Sequence, residues 1–289
     1  MLGDLFISLR PKQWSKNVIV FAGLFFAEDI FDMEKIIPAV MAFLVFCIVS
    51  SSGYLINDVL DQEKDRLHPR KKFRPIAAGK ISVPLAYTTA FLFIGVGLYL
   101  GYNLSYAFGI IISTYFLLTL FYSVYLKRVI IIDVLIISSG FMFRAVGGTL
   151  AIGEVVSSWL IICTIFLALF LALIKRRAEF VALKDNASRV RKTLAQYNVQ
   201  FLDQMINIVS AACLMAYALY TLDPETVNKF GTRNLVFTLP FVIYGLFRYL
   251  ALVHNYNQGE SPELVILKDK PLLVCVGLYG LAVFLIIYL

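Results

Sequence analysis

Apolar runs of close to twenty residues, parted by short polar breaks, repeat along the 289 residues of the chain. Nine read as membrane-spanning helices, at about 17–31, 36–57, 82–100, 105–124, 130–151, 157–175, 203–221, 233–252 and 271–289. The first is the weakest, because its uncharged core runs only from Asn17 to Ala27, and a short, tilted helix is expected there. Residues 1–16 lack the charged start, apolar middle and small-residue cleavage site of a signal peptide. They read as an interfacial helix, interrupted at Pro11, with Trp14 and Lys16 near the headgroups. Only 16% of the residues are charged, against about a quarter in soluble domains, so a water-soluble fold is excluded. The pattern predicts an all-α, polytopic membrane protein, with residues 1–289 forming one domain.

Charge adds orientation. Under strict alternation, 22 of the 26 Lys and Arg residues fall on one side. That side is cytoplasmic by the positive-inside rule, which places the N-terminus inside and the C-terminus outside a cell inner or plasma membrane. The chemically suggestive loops, 58–81 and 176–202, both lie there and would form a catalytic cap. Cys47, Cys163, Cys213 and Cys275 stand singly in apolar segments and suggest neither disulfides nor a zinc site. With only His68 and His254, a histidine-based metal site is not expected. Nor is a nucleic-acid partner, while a homo-oligomer stays open.

One stretch carries most of the chemistry. No residue from Ala39 to Tyr54 is charged, yet Asn57, Asp58, Asp61 and Asp65 follow at once. At about 100° per residue, these four fall within roughly a 100° arc of one helix. Converging oxygen donors suit Mg2+, which commonly binds one or two carboxylates together with substrate phosphates. A solvated helix end paired with Lys64 and Arg66 is the plain alternative. Next comes HPRKKFRPIAAG (68–79), where Pro69 and Pro75 break the helix and Lys71 and Arg74 stand ready to neutralise a diphosphate.

The spacing Asn57-Asp58-x-x-Asp61-x-x-x-Asp65, followed by Arg66, His68-Pro69, Lys71 and Arg74-Pro75, resembles the first aspartate-rich motif of the UbiA superfamily of intramembrane prenyltransferases. YSVYLKR (122–128) resembles that superfamily's Tyr-containing Lys-Arg segment. The likeness implies a nine-helix fold and Mg2+ dependence. Most members carry a second acidic motif after the sixth helix, but here 174–198 offers only Glu179 and Asp185 among many cations. The chain is instead similar to a branch that transfers 5-phosphoribose from phosphoribosyl diphosphate to polyprenyl phosphate. The segments that carry this are LRPKQWSKN (9–17), HPRKKFRPIAAG, IIDVLIISSGFMFRAVGG (131–148), KRRAEF (175–180), RKTLAQYN (191–198) and GESPE (259–263). The branch implies that Asp58, Asp61 and Asp65 are catalytic through the metal, with Asn57 as a fourth ligand. Lys71, Arg74, Lys175 and Arg176 become phosphate clamps, and Lys16, Tyr122, Lys127 and Tyr197 further substrate contacts.

Arg144 lies about 16 Å of helix rise below Asp133, on nearly the same face. A cation at mid-membrane is a functional candidate by default, here for a substrate phosphate; a buried pair with an acid or helix carbonyls is the alternative. Glu179 stands where the second acidic motif would be, although an ion pair with Lys175 one turn earlier is the simpler reading. GESPE is a candidate lid. The rival functions are prenyl transfer to an aromatic or glycerol-phosphate acceptor and anion transport, the latter without the internal repeat it would need.

Overall fold

The computed structural model describes residues 2–28, 30–68, 71–183, 196–256 and 262–289. Among them there is no strand, and they divide into two compact units, Met1–Ile161 and Ile162–Leu289. The first contains α1 (Leu2–Ser8), α2 (Ala22–Phe26), α3 (Met33–Leu60), α4 (Gln62–Leu67), α5 (Val83–Leu104), α6 (Tyr106–Val124) and α7 (Ile132–Ala151). The second unit begins inside α8 (Ser158–Leu183) and continues through α9 (Val199–Leu222), α10 (Pro224–Phe230), α11 (Leu239–Tyr256), α12 (Pro262–Lys268) and α13 (Lys270–Tyr288).

Polar residues at the breaks start the helices by accepting from orphan backbone N–H groups. Asp32 accepts from Glu34 N at 2.9 Å ahead of α3, Ser105 from Phe108 N at 3.0 Å ahead of α6, and Asn198 from Phe201 N at 2.7 Å ahead of α9. The core of the first unit centres on Phe46, whose ring meets the edges of Phe108 and Tyr115 at centroid distances of 5.8 and 5.4 Å. A second apolar cluster, including Leu55, Ile76, Ile81 and Ala86, lies under the acidic end of α3 and holds loop 71–81 against it. In the second unit Phe170, Leu173, Ile174, Leu202 and Ile206 are fully buried, and Phe170 packs on Tyr249.

Eight described helices are long and apolar enough to cross a membrane. The first predicted span is not an α-helix. Pro11–Phe21 wind as a 3-10 helix and pass directly into α2. A 3-10 helix rises about 2.0 Å per residue against 1.5 Å for an α-helix, so residues 11–26 extend roughly 30 Å, about one hydrocarbon thickness.

Long 3-10 runs are uncommon in isolation, and tertiary packing sustains this one. A Cβ added at Gly148 of α7 would lie 1.9 Å from the Val20 carbonyl oxygen, and one at Gly23 would lie 2.4 Å from Thr149 Oγ1. Only glycine permits so close an approach. Trp14, expected at the headgroups, turns inward instead and donates from Nε1 to Ser51 Oγ at 3.1 Å. Leu2, Phe6 and Ile7 of α1 expose their apolar side chains.

Candidate active site

The acidic face forms at the end of α3. The helix is interrupted for one residue at Asp61 and resumes as α4, but the turn-to-turn bonding persists: Asp61 N donates to Asn57 O at 3.0 Å and Asp65 N to Asp61 O at 2.8 Å. All four predicted ligands therefore stay in helical register. Asp58 and Asp65 are each only 4% exposed.

Each carboxylate meets a cation. Arg74 Nη1 donates to Asp58 Oδ1 at 3.0 Å and to Asp65 Oδ2 at 2.5 Å, so one nitrogen joins two acids. Lys127 Nζ donates to both oxygens of Asp61, at 2.8 and 2.7 Å, and to Asn57 Oδ1 at 3.2 Å. Arg10 Nη2 also donates to Asp58 Oδ1. Its guanidinium carbon lies 5.0 Å above the centre of the Tyr54 ring, a cation–π distance. The loop is tied back by Gln62 Nε2 to Ile76 O and Arg66 Nε to Ala77 O, each at 3.0 Å. Arg66 thus holds the loop, and the plain pairing of Arg66 with the acids does not occur.

The donor set suits a hard divalent ion: four oxygen-bearing side chains without sulfur or imidazole. Its acids arrive as two groups, Asp58 with Asp65 and Asp61 with Asn57, each already facing a shared positive atom. Among the described residues, no three acid, His or Cys side chains close around one point. The chemistry of the ligands fits Mg2+, and the cations bonded to them define the competition a metal would meet.

Arg144 lies deeper and is 6% exposed. Its Nε donates to Asn17 Oδ1 at 2.6 Å, Nη1 to Gly140 O at 2.6 Å and Nη2 to Tyr115 OH at 2.7 Å. Asn17 in turn donates to Cys47 Sγ at 3.2 Å. Every nitrogen of the guanidinium is engaged by a neutral protein oxygen. These bonds tie the 3-10 segment, α3, α6 and α7 into one polar knot, close to the alternative of a buried structural role. Asp133, on the same helix, is wholly buried.

Lys16 and Tyr122 are half-buried, and Lys71 donates its backbone N–H to His68 Nδ1 at 3.3 Å. In the second unit, Arg176 is 3% exposed and donates from Nη1 to Glu179 Oε2 at 2.5 Å. Glu179 therefore pairs with Arg176, three residues back, and not with Lys175 as expected. Tyr197 is buried and stacked on Phe201. Arg177 Nε donates to Asp203 Oδ1 at 2.5 Å, a pair that the sequence did not suggest. Arg248 grips Asp269 through Nε and Nη2, at 3.1 and 2.8 Å, and these bonds hold the Asp269 carboxyl below the ordinary carboxylate range. Pro69, residues 184–195 of the basic loop and most of GESPE lie outside the described residues.

The family model for UbiA prenyltransferases matches residues 17–268. The chain belongs to the UbiA prenyltransferase family. It is 36% identical to a decaprenyl-phosphate phosphoribosyltransferase of Corynebacterium glutamicum, over 98% of this chain and 86% of that one. A protein of the same name from Mycolicibacterium smegmatis is 33% identical, over 98% of this chain and 93% of the relative. Among solved structures, a UbiA homolog from Archaeoglobus fulgidus bound to DMAPP and Mg2+ superimposes with a TM-score of 0.75. It is 19% identical, covering 98% of this chain and 99% of that one, and shows a shared fold.

Arg10 is a member of the acidic cluster that the sequence did not single out. It opens the LRPKQWSKN segment, but nothing local links it to an acid 48 residues away. Its backbone is the clue that only structure supplies. Arg10 has φ 55° immediately before Pro11, and Ile131, between Lys127 and Asp133, has φ 67°. A non-glycine residue held there stores about 1–3 kcal/mol of strain, and such residues cluster at functional sites.

Proposed function

We propose that this UbiA-family protein moves 5-phosphoribose from phosphoribosyl diphosphate to the phosphate of a polyprenyl lipid, releasing diphosphate. The carrying observation is its likeness, over nearly the whole chain, to curated decaprenyl-phosphate phosphoribosyltransferases. In this reaction the bond from ribose C1 to the diphosphate oxygen breaks, and C1 bonds to an oxygen of the lipid phosphate. The nucleophile is already an anion near neutral pH, so no general base is needed.

Asn57, Asp58, Asp61 and Asp65 would hold Mg2+, which when bound supplies Lewis-acid stabilisation of the leaving diphosphate. Arg74 and Lys127 stand against those carboxylates and can neutralise charge growing on the diphosphate. By the family likeness Lys71, Lys175 and Arg176 are further phosphate clamps, and Lys16, Tyr122, Glu179 and Tyr197 further substrate contacts. Arg144 acts by positioning in this reading, because each of its three nitrogens already donates to a protein oxygen. On the charge distribution, loops 58–81 and 176–202 face the cytoplasm, with the N-terminus inside and the C-terminus outside.

Purified protein given Mg2+, polyprenyl phosphate and labelled phosphoribosyl diphosphate should carry label into the lipid phase. The family description favours one second reading, transfer of a prenyl group to an aromatic or glycerol-phosphate acceptor. Prenyl transfer from a prenyl diphosphate, with no labelled phosphoribosyl lipid formed, would replace the first reading by the second.

A further inference from the structure

Three carboxylates and three cations are interleaved at the end of α3: Asp58, Asp61 and Asp65 with Arg10, Arg74 and Lys127. The formal charge of this group is zero. A free divalent ion entering it gains nothing from net attraction, and the oxygens it needs are bonded to positive groups. Opposite charges a few ångströms apart in a poorly solvated place attract strongly, so a bare metal must displace a bound cation to reach its ligands. A metal already chelated by diphosphate differs, because its phosphate oxygens can receive whatever cation is displaced.

Arg10 is the cation best built for that exchange. Asp58 Oδ1 accepts from both Arg10 and Arg74, so loss of Arg10 leaves the carboxylate still paired. The Tyr54 ring beneath the guanidinium gives it a second, neutral support while its bond to Asp58 is broken. About a quarter of the Arg10 side chain faces solvent, where an incoming anion can reach it. Arg74, by contrast, joins two acids, and Lys127 binds both oxygens of Asp61.

We propose that Arg10 is an exchangeable counter-cation of the metal site, holding Asp58 until a metal–diphosphate complex arrives and then passing to the diphosphate. It thereby makes metal and diphosphate binding depend on each other. The inference rests on the proposed reading of Asn57, Asp58, Asp61 and Asp65 as the metal ligands. By linkage, the factor by which diphosphate strengthens metal binding equals the factor by which metal strengthens diphosphate binding.

The test uses full-length protein in nanodiscs. Protein-bound Mn2+ is measured by equilibrium dialysis of the nanodiscs, which separates it from free and diphosphate-chelated Mn2+, with and without inorganic diphosphate. Wild type should bind Mn2+ weakly alone and about tenfold or more tightly with diphosphate, within the usual range of coupling. Arg10→Gln removes the charge and should bind Mn2+ alone about fivefold more tightly, while its diphosphate enhancement shrinks toward unity. Arg10→Lys should fall between. A purely structural Arg10 would weaken both measurements together, and that result, or an unchanged enhancement in Arg10→Gln, overturns the proposal. Asp61→Asn separates the premises. If it leaves wild-type Mn2+ binding intact, the metal assignment fails and the counter-cation role falls with it; if it abolishes binding, the Arg10 variants decide the counter-cation role alone.

Discussion

Two polar knots in the first unit solve the same problem, charge in an apolar chain, in opposite ways. At the end of α3, acids are matched one for one by cations, and Asp58 is even bonded to two. Deeper in the unit, one guanidinium is held by an amide, a phenol and a carbonyl, with no carboxylate bonded to it. A matched set of charges can trade partners when a charged ligand arrives, because every separated ion finds another. A cation bound by three neutral groups has nowhere to go, since each group would be left buried and unsatisfied. The first arrangement suits a site that turns over, and the second suits a fastener. Both reach the same short segment, through Arg10 at one end and Asn17 further along.

The sharpest way to break this contrast is at Asp61. Asp61→Asn should lower phosphoribosyl transfer by about a hundredfold or more, the scale of losing a key electrostatic stabiliser. Its melting temperature in detergent should change little, because Lys127 keeps Asn57 as a partner. Near-normal turnover would mean that the matched knot is structural too.

Arg144→Met should do the reverse. It strands Asn17 Oδ1 and Tyr115 OH in the interior, at about 1–3 kcal/mol for each unsatisfied group. Thermal melting should fall clearly, while the KM for phosphoribosyl diphosphate in the folded fraction stays near wild type. A raised KM with unchanged melting would return Arg144 to the substrate. Lys127→Met tests the exchangeable side more gently. We expect a rise in donor KM of about tenfold, the effect of losing one charge-assisted contact of about 1.4 kcal/mol.

The smallest effect concerns the second unit. Because Arg248 lowers the pKa of Asp269, that pair contributes stability above about pH 4, the ordinary Asp value, and loses it as pH falls through the lowered pKa. Melting measured from pH 6 downward should therefore decline, and Asp269→Asn should flatten the acid limb without altering it near neutrality. An identical acid limb in the variant would assign the loss to other carboxylates.

Much of this was legible in the chain. The apolar runs located every long helix, and the i, i+1, i+4, i+8 register of Asn57, Asp58, Asp61 and Asp65 survives the interruption at Asp61. Those features depend on the backbone repeat alone. The 3-10 form of residues 11–21 was not legible, since it depends on Gly148 and Gly23 admitting another backbone at close range. The place of Trp14 and the ion-pair partner of Glu179 were not legible for a related reason: a rule about typical partners cannot say which neighbour a long side chain will reach.

Sequence by itself determined the class, the family and the helical register of the acidic face, because hydropathy and helical spacing are local properties written into consecutive residues. Tertiary structure decided which cation serves which acid. Arg10 meets Asp58 across 48 positions, Lys127 meets Asp61 across 66, and Arg144 meets Asn17 across 127. Such pairings follow from which helices pack together and how closely glycine lets them approach, and a side chain becomes counter-ion or fastener only when that packing supplies its partner.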